Sequence, residues 1–269
     1  MADTAWQTTW GDKSFIENWA NKGSWQAPIR DVQTAMVLRM IPQPIDAPLR
    51  VLDIGAGYGA LAAAVLRDRP NATAVCLDAS AAMLKLGPEK NPDLKNRMTF
   101  VQGSLESPDW LKSVDGTFDA VISARALHHF TENQRRRYIF KEIFPLVRAG
   151  GCFINADNVR GATNSLSERY RSARDEYLDR YVRQSSGGKT NLAEASGDAE
   201  QLPRSAQQRH TRRRAGVAAR SGVSGCRLFL EVYDDGGVWG IQTIIRSSRS
   251  KSSNRSKRFR SARAFSASL

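Results

Sequence analysis

The order of apolar and polar positions predicts alternating strands and helices in the middle of the chain. Between residues 48 and 158, short apolar runs of strand length alternate with stretches of helical periodicity, as a parallel sheet requires. The runs predict five strands, near residues 50–55, 73–78, 98–103, 118–123 and 152–157. The expected fold class is therefore α/β, with three layers: a mostly parallel sheet and helices on both of its faces.

A further helix is predicted before this region. Apolar residues recur with helical spacing between Val32 and Ile41, and Pro42 and Pro44 end the pattern. The same N-terminal segment carries four of the six tryptophans, which are Trp6, Trp10, Trp19 and Trp25.

The character of the chain changes after the fifth predicted strand. Residues 164–181 predict one more helix, with Ser165 or Ser167 as its N-cap. From about residue 185, apolar periodicity fades and Ser, Arg, Gln and Gly dominate. Such a composition buries too little apolar surface to order itself. Residues 185–269 are therefore expected to be an atypical, basic, low-complexity tail that is poorly ordered.

Residues 226–245 allow two interpretations. Two β-prone runs, 226–233 and 238–245, flank an Asp-Asp-Gly-Gly turn and predict a hairpin at the edge of the sheet. However, residues 215–242 can be translated back into codons and read again with the frame shifted by one base. A permitted choice of codons then encodes a peptide with the pattern of an amphipathic helix, an alternating strand and an apolar strand. We therefore expect the chain to be out of frame from somewhere in 185–214 onward, with the terminal hairpin degraded. Sequencing the gene tests this hypothesis.

The net charge of +13 is concentrated in the tail. Residues 184–269 carry 16 Lys and Arg against 6 Asp and Glu, which leaves 24 against 21 for residues 1–183. The strand–helix region therefore lacks the basic surface that binds nucleic-acid phosphates. Nucleic acid is expected as a partner only through the tail.

No segment has the pattern of a membrane span or a secretion signal. No window approaches 18 consecutive apolar residues, and the N-terminus lacks a basic start followed by an apolar stretch. Cys76, Cys152 and Cys226 show no metal-binding or redox spacing and are typical of small hydrophobic residues in a reducing compartment. We expect a cytoplasmic protein with no metal site and no membrane contact, and the sequence leaves its oligomeric state open.

One strand-to-helix turn carries the strongest chemical signal. The string Val-Leu-Asp-Ile-Gly-Ala-Gly-Tyr-Gly at residues 51–59 places three glycines after Asp53, and the next predicted strand ends in Asp78. Glycine permits positive φ and close approach of a ligand, and an acid at the second strand tip accepts hydrogen bonds from ribose hydroxyls. A carboxylate at Asp53 does not favour binding of the NAD pyrophosphate, whereas it does favour binding of a cationic cofactor.

The chain resembles the class I S-adenosylmethionine-dependent methyltransferases. Residues 51–59 are similar to the first motif of that family, and Cys-Leu-Asp-Ala-Ser at 76–80 with Met83 is similar to its ribose and adenine segment. Further matches follow in the family's order, at residues 100–104, 118–123, 127–130 and 146–154. The resemblance implies a Rossmann-like fold, a cofactor-binding domain over residues 48–184, and an N-terminal helical lid over residues 1–47. The tryptophans would line this lid or pack on the sheet edge.

The resemblance also implies roles for individual residues. Asp53 would orient the methionine ammonium through water, Asp78 would hold the ribose hydroxyls, and Ala79 and Met83 would flank adenine. The expected cofactor contacts are Asp53, Gly55, Ala56, Gly57, Gly59, Asp78, Ala79, Met83, Gly103, Ser104, Leu105 and Ser123. Ser104 stands where many relatives place an acid that bonds the adenine amino group.

The residues after the fourth and fifth strands are candidates for the chemistry. His128 or His129 would serve as general base, or would cap or pack against the next helix. Residues 123–125 lack the Asn/Asp-Pro-Pro-Tyr/Phe signature of enzymes that methylate base amino groups. Asp157 and Asn158 would face a substrate, or would simply end their strand.

The expected function is methyl transfer from S-adenosylmethionine to a small-molecule acceptor by in-line displacement, in which the enzyme mainly aligns the reactants and excludes water. Three alternatives remain open. The chain would be an RNA or tRNA methyltransferase that uses its basic tail, an inactive or unstable relative that has lost its C-terminal strands, or an NAD-dependent oxidoreductase.

Overall fold

The computed structural model describes residues 16, 23–130, 133–158, 161, 163–196, 225–234 and 237–246, the last two ranges as backbone. Seven strands lie in these ranges: β1 Leu49–Ile54, β2 Ala72–Asp78, β3 Met98–Gln102, β4 Phe118–Ala124, β5 Val147–Asn158, β6 Gly225–Asp234 and β7 Gly237–Arg246. They form one sheet in the order β3-β2-β1-β4-β5-β7-β6. The first five strands are parallel, so their carboxyl ends meet at one edge.

Helices connect the parallel strands and cover the sheet. Their bounds are α1 Ala27–Met40, α2 Ala60–Asp68, α3 Ala81–Lys90, α4 Asn133–Ile143, α5 Asn164–Ser185 and α6 Leu192–Ser196. On one face, Val37 of α1 and Leu66 of α2 belong to a core cluster with Ile122 of β4. On the other face, Ile139 of α4 packs in a second cluster with Val121. Alternate residues of one strand thus face opposite layers, which confirms the predicted three-layer α/β fold.

The terminal hairpin differs from the expectation that it is degraded. β6 and β7 pair antiparallel from Gly225↔Arg246 to Asp234↔Gly237, and β7 also pairs antiparallel with β5 over residues 152–158. The backbone therefore follows the hairpin interpretation of residues 226–245, and the outer edge of β5 is covered. The out-of-frame hypothesis for this segment stays a prediction.

Two further boundaries differ from the sequence analysis. α5 begins after Thr163, whose Oγ1 accepts the N–H of Leu166 at 3.1 Å, so Thr163 is the N-cap in place of Ser165 or Ser167. The helix ends at Ser185, and α6 and the hairpin follow within the predicted tail. The division into a lid, a domain and a tail stays a prediction, and Trp6, Trp10 and Trp19 lie outside the described residues.

Two cysteines behave as the sequence predicts. Cys76 in β2 and Cys152 in β5 are fully buried, and this burial raises the pKa of both thiols. Within the described ranges, none of the helices combines the length and the apolar character that crossing a membrane requires.

Candidate active site

The glycine-rich turn between β1 and α2 lies at the carboxyl edge of the sheet. Gly55, Gly57 and Gly59 all have positive φ, at 70°, 57° and 81°. The turn is held by β2, because the N–H groups of Gly55 and Ala56 donate to the Leu77 carbonyl at 2.8 and 3.0 Å. A Cβ on Gly55 would lie 2.3 Å from the Cβ of Ala126, so a side chain here would overlap the segment after β4. The loop therefore lies close against the segment that follows β4.

Asp53 is buried at the end of β1, with 1% of its surface exposed. Its Oδ2 accepts the N–H of Ala62 at 3.1 Å, in the first turn of α2. Burial raises the pKa of Asp53 from 3.8 to about 7; the bond from Ala62 opposes this shift, and the charge of Asp78 adds to it. The carboxyl group therefore lies where a bound cation would favour its charged form.

Asp78 fastens the glycine turn to the start of α3. Its Oδ2 accepts the N–H of Gly57 at 2.8 Å, and its Oδ1 accepts the N–H of Ser80 at 2.8 Å. Burial raises its pKa, while these backbone bonds oppose the shift. Ser80 in turn caps α3, because its Oγ accepts the N–H of buried Met83 at 3.2 Å. The two acids and the turn therefore form one connected unit, with Ala79 between Asp78 and the cap.

The residues after β3 extend this unit. The N–H of Gly103 donates to the Asp78 carbonyl at 3.0 Å, which places this end of β3 beside the acid. Ser104 accepts the N–H of Glu106 on its Oγ at 3.3 Å, and Leu105 is 6% exposed and packs in the core cluster of Trp110. The predicted contact between Ser104 and adenine is untested.

Ser123 occupies a different place from the other predicted cofactor residues. It has no exposed surface, and its Oγ donates to the Ile54 carbonyl at 2.8 Å. The hydroxyl thus joins β4 to the end of β1 inside the sheet. Its cofactor contact stays a prediction, although this hydrogen bond already uses its proton.

His128 and Asp157 meet at the ends of β4 and β5. His128 lies in the short 3-10 turn Leu127–His129 after β4, and its Nδ1 lies 2.8 Å from Asp157 Oδ1. The side chains are 20% and 10% exposed. If Nδ1 carries the proton, it donates to the carboxylate, which fixes the orientation of the ring. Sequence reasoning placed Asp157 at the strand end but left open whether it only ended the strand.

His129 packs against His128, with ring centroids 4.2 Å apart and the ring planes tilted by 39°. Burial lowers the pKa of His129 from 6.5 to about 4, and the charges of His128 and Arg125 add to this shift while Asp157 opposes it. A base whose conjugate acid has a pKa near 4 is poorly matched to neutral pH. His128 is therefore the stronger candidate of the two.

The low pKa of His129 can be tested by a pH titration of the protein without substrate. In a ¹H–¹³C NMR titration we expect its imidazole resonances to move only near pH 4, with His129→Gln used to assign them. Because the pKa is lower in the folded chain, stability from this group is present above about pH 6.5 and is lost as the pH falls toward 4. A midpoint near pH 6.5 would contradict the buried environment.

Arg125 directly follows β4 and completes this part of the site. It is a non-glycine residue with φ of 56°, and its N–H donates to the Ala156 carbonyl of β5 at 2.9 Å. Burial lowers the pKa of Arg125 from 12.5 to about 10; Arg30 and Arg174 lower it further, and Asp157 opposes them. Sequence reasoning missed Arg30 and Arg174, because no local pattern signals that residues of α1 and α5 approach the tip of β4.

A family model for a methyltransferase domain matches residues 51–151 of the chain. This span begins at the glycine-turn strand and ends in β5, so it contains both acids and both histidines. Residues 51–151 therefore match a methyltransferase domain.

Curated relatives of this methyltransferase domain match the same part of the chain. A trans-aconitate 2-methyltransferase of Deinococcus radiodurans is 31% identical over 131 residues, which cover 48% of this chain and 43% of the relative. A malonyl-[acyl-carrier protein] O-methyltransferase of Geobacter sulfurreducens is 29% identical over 126 residues, which cover 47% of this chain and 45% of the relative. The matched part of the chain spans less than half the length of these relatives.

Solved methyltransferase structures share the fold. An O-methyltransferase family protein of Burkholderia thailandensis aligns with a TM-score of 0.55 at 17% identity and covers 92% of this chain and 64% of its own. A protein of Methanococcus maripaludis, assigned as an S-adenosyl-L-methionine-dependent methyltransferase, aligns with a TM-score of 0.54 at 17% identity and covers 93% and 99%. At this identity the similarity establishes the fold of the methyltransferase domain.

Proposed function

We propose that the chain transfers the methyl group of S-adenosylmethionine to a small-molecule acceptor. The observation that carries this proposal is the pair of acids, buried Asp53 and partly buried Asp78, at adjoining strand ends beside the glycine turn. Two carboxyl groups whose pKa values are raised by burial favour a ligand that brings positive charge and hydroxyl donors. S-adenosylmethionine fits this requirement, since it carries a sulfonium, an ammonium group and a ribose.

Each part of the turn contributes to holding the cofactor in this proposal. Asp78 accepts hydrogen bonds from the ribose hydroxyls. It uses the carboxylate lone pairs that its hydrogen bonds from Gly57 and Ser80 leave available. Asp53 orients the ammonium group through water. The remaining proposed contacts are Gly55, Ala56, Gly57, Gly59, Ala79, Met83, Gly103, Ser104 and Leu105. When bound, the cofactor supplies a methyl group on a positively charged sulfur.

His128 serves as the general base in this proposal when the nucleophile carries a proton. Asp157 holds the ring through Nδ1 and stabilises the imidazolium that forms on proton transfer. The pair lies at the carboxyl ends of β4 and β5, where ligands of open α/β sheets bind. A small acceptor is favoured over nucleic acid because residues 1–183 carry 24 basic against 21 acidic residues.

Replacement of Asp78 tests the cofactor site. We expect Asp78→Ala to weaken S-adenosylmethionine binding by about 1.5 to 3 kcal/mol, or roughly ten- to hundredfold, because the ribose loses its hydrogen-bond acceptor. Isothermal titration calorimetry of both proteins measures this change, and thermal unfolding reports whether the glycine turn still folds.

Asp93→Ala is the matched control for this experiment. Asp93 is an exposed carboxylate that pairs with Arg67 at 3.0 Å and is not among the proposed cofactor contacts, so its removal should leave affinity unchanged. A folded Asp78→Ala protein that binds as tightly as the wild type would contradict the proposed site. Tight binding of NAD in a parallel titration would favour the oxidoreductase instead.

A further inference from the structure

Three arginines from distant parts of the chain approach the tip of β4. Arg125 follows β4, Arg30 lies in α1, and Arg174 lies in α5. The two helices are joined by a small apolar cluster in which Ile29 of α1 packs with Leu178 of α5. Ile29 is next to Arg30 and Leu178 is one helical turn from Arg174, so this packing brings the two arginines together, and the charges of both act on Arg125.

Within the described part of the chain, Arg125 has more positive than negative charge around it. Among the described residues, its guanidinium makes no hydrogen bond or ion pair, although the residue is partly buried. Its charged neighbours are Arg30, Arg174 and Asp157, and the carboxylate of Asp157 also lies 2.8 Å from His128. Arg174 pairs with Asp175 at 2.7 Å on the same helix. A partly buried cation with like charges beside it is stabilised when an anion joins it.

The backbone of Arg125 supports the same interpretation. Its φ of 56° lies in the left-handed region that L side chains seldom adopt. The hydrogen bond from its N–H to Ala156 holds this conformation, which fixes the start of the side chain between β4 and β5. Such outliers are often kept where a side chain must be positioned for a ligand.

We infer that the methyl acceptor carries a carboxylate and that Arg125 binds this group, with Arg30 and Arg174 adding positive charge beside it. The inference rests on the proposed function, since it places the acceptor beside the cofactor. A planar carboxylate matches the paired N–H donors of a guanidinium. A singly charged carboxylate also suits a site that contains Asp157, because this acid repels a doubly charged phosphate more strongly.

The first arm of the test separates this inference from the proposed function. Full-length wild type and Arg125→Gln are titrated with S-adenosylhomocysteine by calorimetry. Both should bind it with similar affinity, because Arg125 is not among the proposed cofactor contacts. If the wild type fails to bind S-adenosylhomocysteine, the proposed function fails, whatever the result with carboxylates.

The second arm measures the preference for carboxylates. A set of aliphatic and aromatic carboxylic acids, each paired with its primary amide, is screened against the S-adenosylhomocysteine-loaded protein by ligand-observed NMR. We expect wild type to prefer the acids and Arg125→Gln to bind the best acid at least tenfold more weakly. Arg125→Lys, which keeps the charge but loses the planar fork, should lie between the two.

Arginines on one helix provide a matched control. Arg174→Gln should weaken binding of the same acid, whereas Arg171→Gln removes an equal charge from an exposed position of α5 and should not. The inference is overturned if amides bind as well as acids, if no acid is preferred, or if Arg125→Gln binds equally well. Tighter binding of phosphate monoesters than of the acids would overturn the assignment to a carboxylate.

Discussion

Asp53→Asn is expected to raise the free energy of unfolding at pH 8 by about 4 kcal/mol while it weakens S-adenosylmethionine binding. The gain follows from the pKa of Asp53, which burial raises from 3.8 to about 7, because each pKa unit corresponds to about 1.4 kcal/mol. Asparagine keeps an oxygen that can accept the N–H of Ala62 and has no charge to bury. A buried acid that lowers stability is expected where a ligand needs its charge.

The sign of this effect makes the prediction specific. Below pH 3.8 the carboxyl group is protonated in the folded and the unfolded chain, so it carries no cost. As the pH rises toward 7, the unfolded chain releases the proton while the folded chain retains it, and stability is lost across this window. Chemical denaturation from pH 4 to 8 should therefore show a gain for Asp53→Asn that grows with pH.

Asp93→Asn provides the control with the opposite sign. Its pKa is lowered, chiefly by the hydrogen bond from Arg67, so removal of its charge should slightly destabilise the chain at pH 8. A gain for Asp53→Asn that did not change with pH would show that packing, and not charge burial, explains the result.

Gly55→Ala is expected to destabilise the chain by about 3 kcal/mol. A residue with φ of 70° costs an L side chain about 1 kcal/mol or more, and a Cβ placed 2.3 Å from that of Ala126 adds an overpacking cost of about 2 kcal/mol. Urea denaturation measures the total.

Two further variants separate the backbone cost of Gly55→Ala from its overpacking cost. Gly187→Ala is the matched control, because Gly187 has φ of 61° with nothing within 4 Å of an added Cβ, and it should lose only the first part. Ala126→Gly in the Gly55→Ala background should restore the second part, since it removes the overlapping atom. Equal losses for Gly55→Ala and Gly187→Ala would show that the contact with Ala126 has no energetic weight.

Local patterns predicted most of the sheet. β1, β2, β3 and β4 lie within two residues of their predicted bounds, because alternating strands and helices leave a periodic signal in the sequence. β5 begins at Val147, five residues before its predicted start. The stretch Ala-Gly-Gly at 149–151 has the composition of a turn, yet it continues in the strand with φ of 81° at Gly150 and a register shift against β4.

The site was only partly predictable for a different reason. The acids and the glycine turn lie within one βαβ unit, so their proximity follows from the sequence order. The pairing of His128 with Asp157 spans 29 residues, and the approach of Arg30 to Arg125 depends on how α1 packs on α5. Likewise, nothing local distinguishes Ser123, fully buried, from a residue at the strand tip. Such contacts between distant segments are set by tertiary packing.

The pairing of β7 with β5 ties the far C-terminal part of the chain to the chemistry of the site. Asp157 lies opposite Gly240 and Asn158 opposite Trp239 in this ladder. A chain shortened at residue 185 would leave the outer side of β5 without its hydrogen-bonding neighbour, at the strand end that holds His128 in place. We therefore expect removal of the tail to disturb the pairing of Asp157 with His128, on which the proposed proton transfer depends.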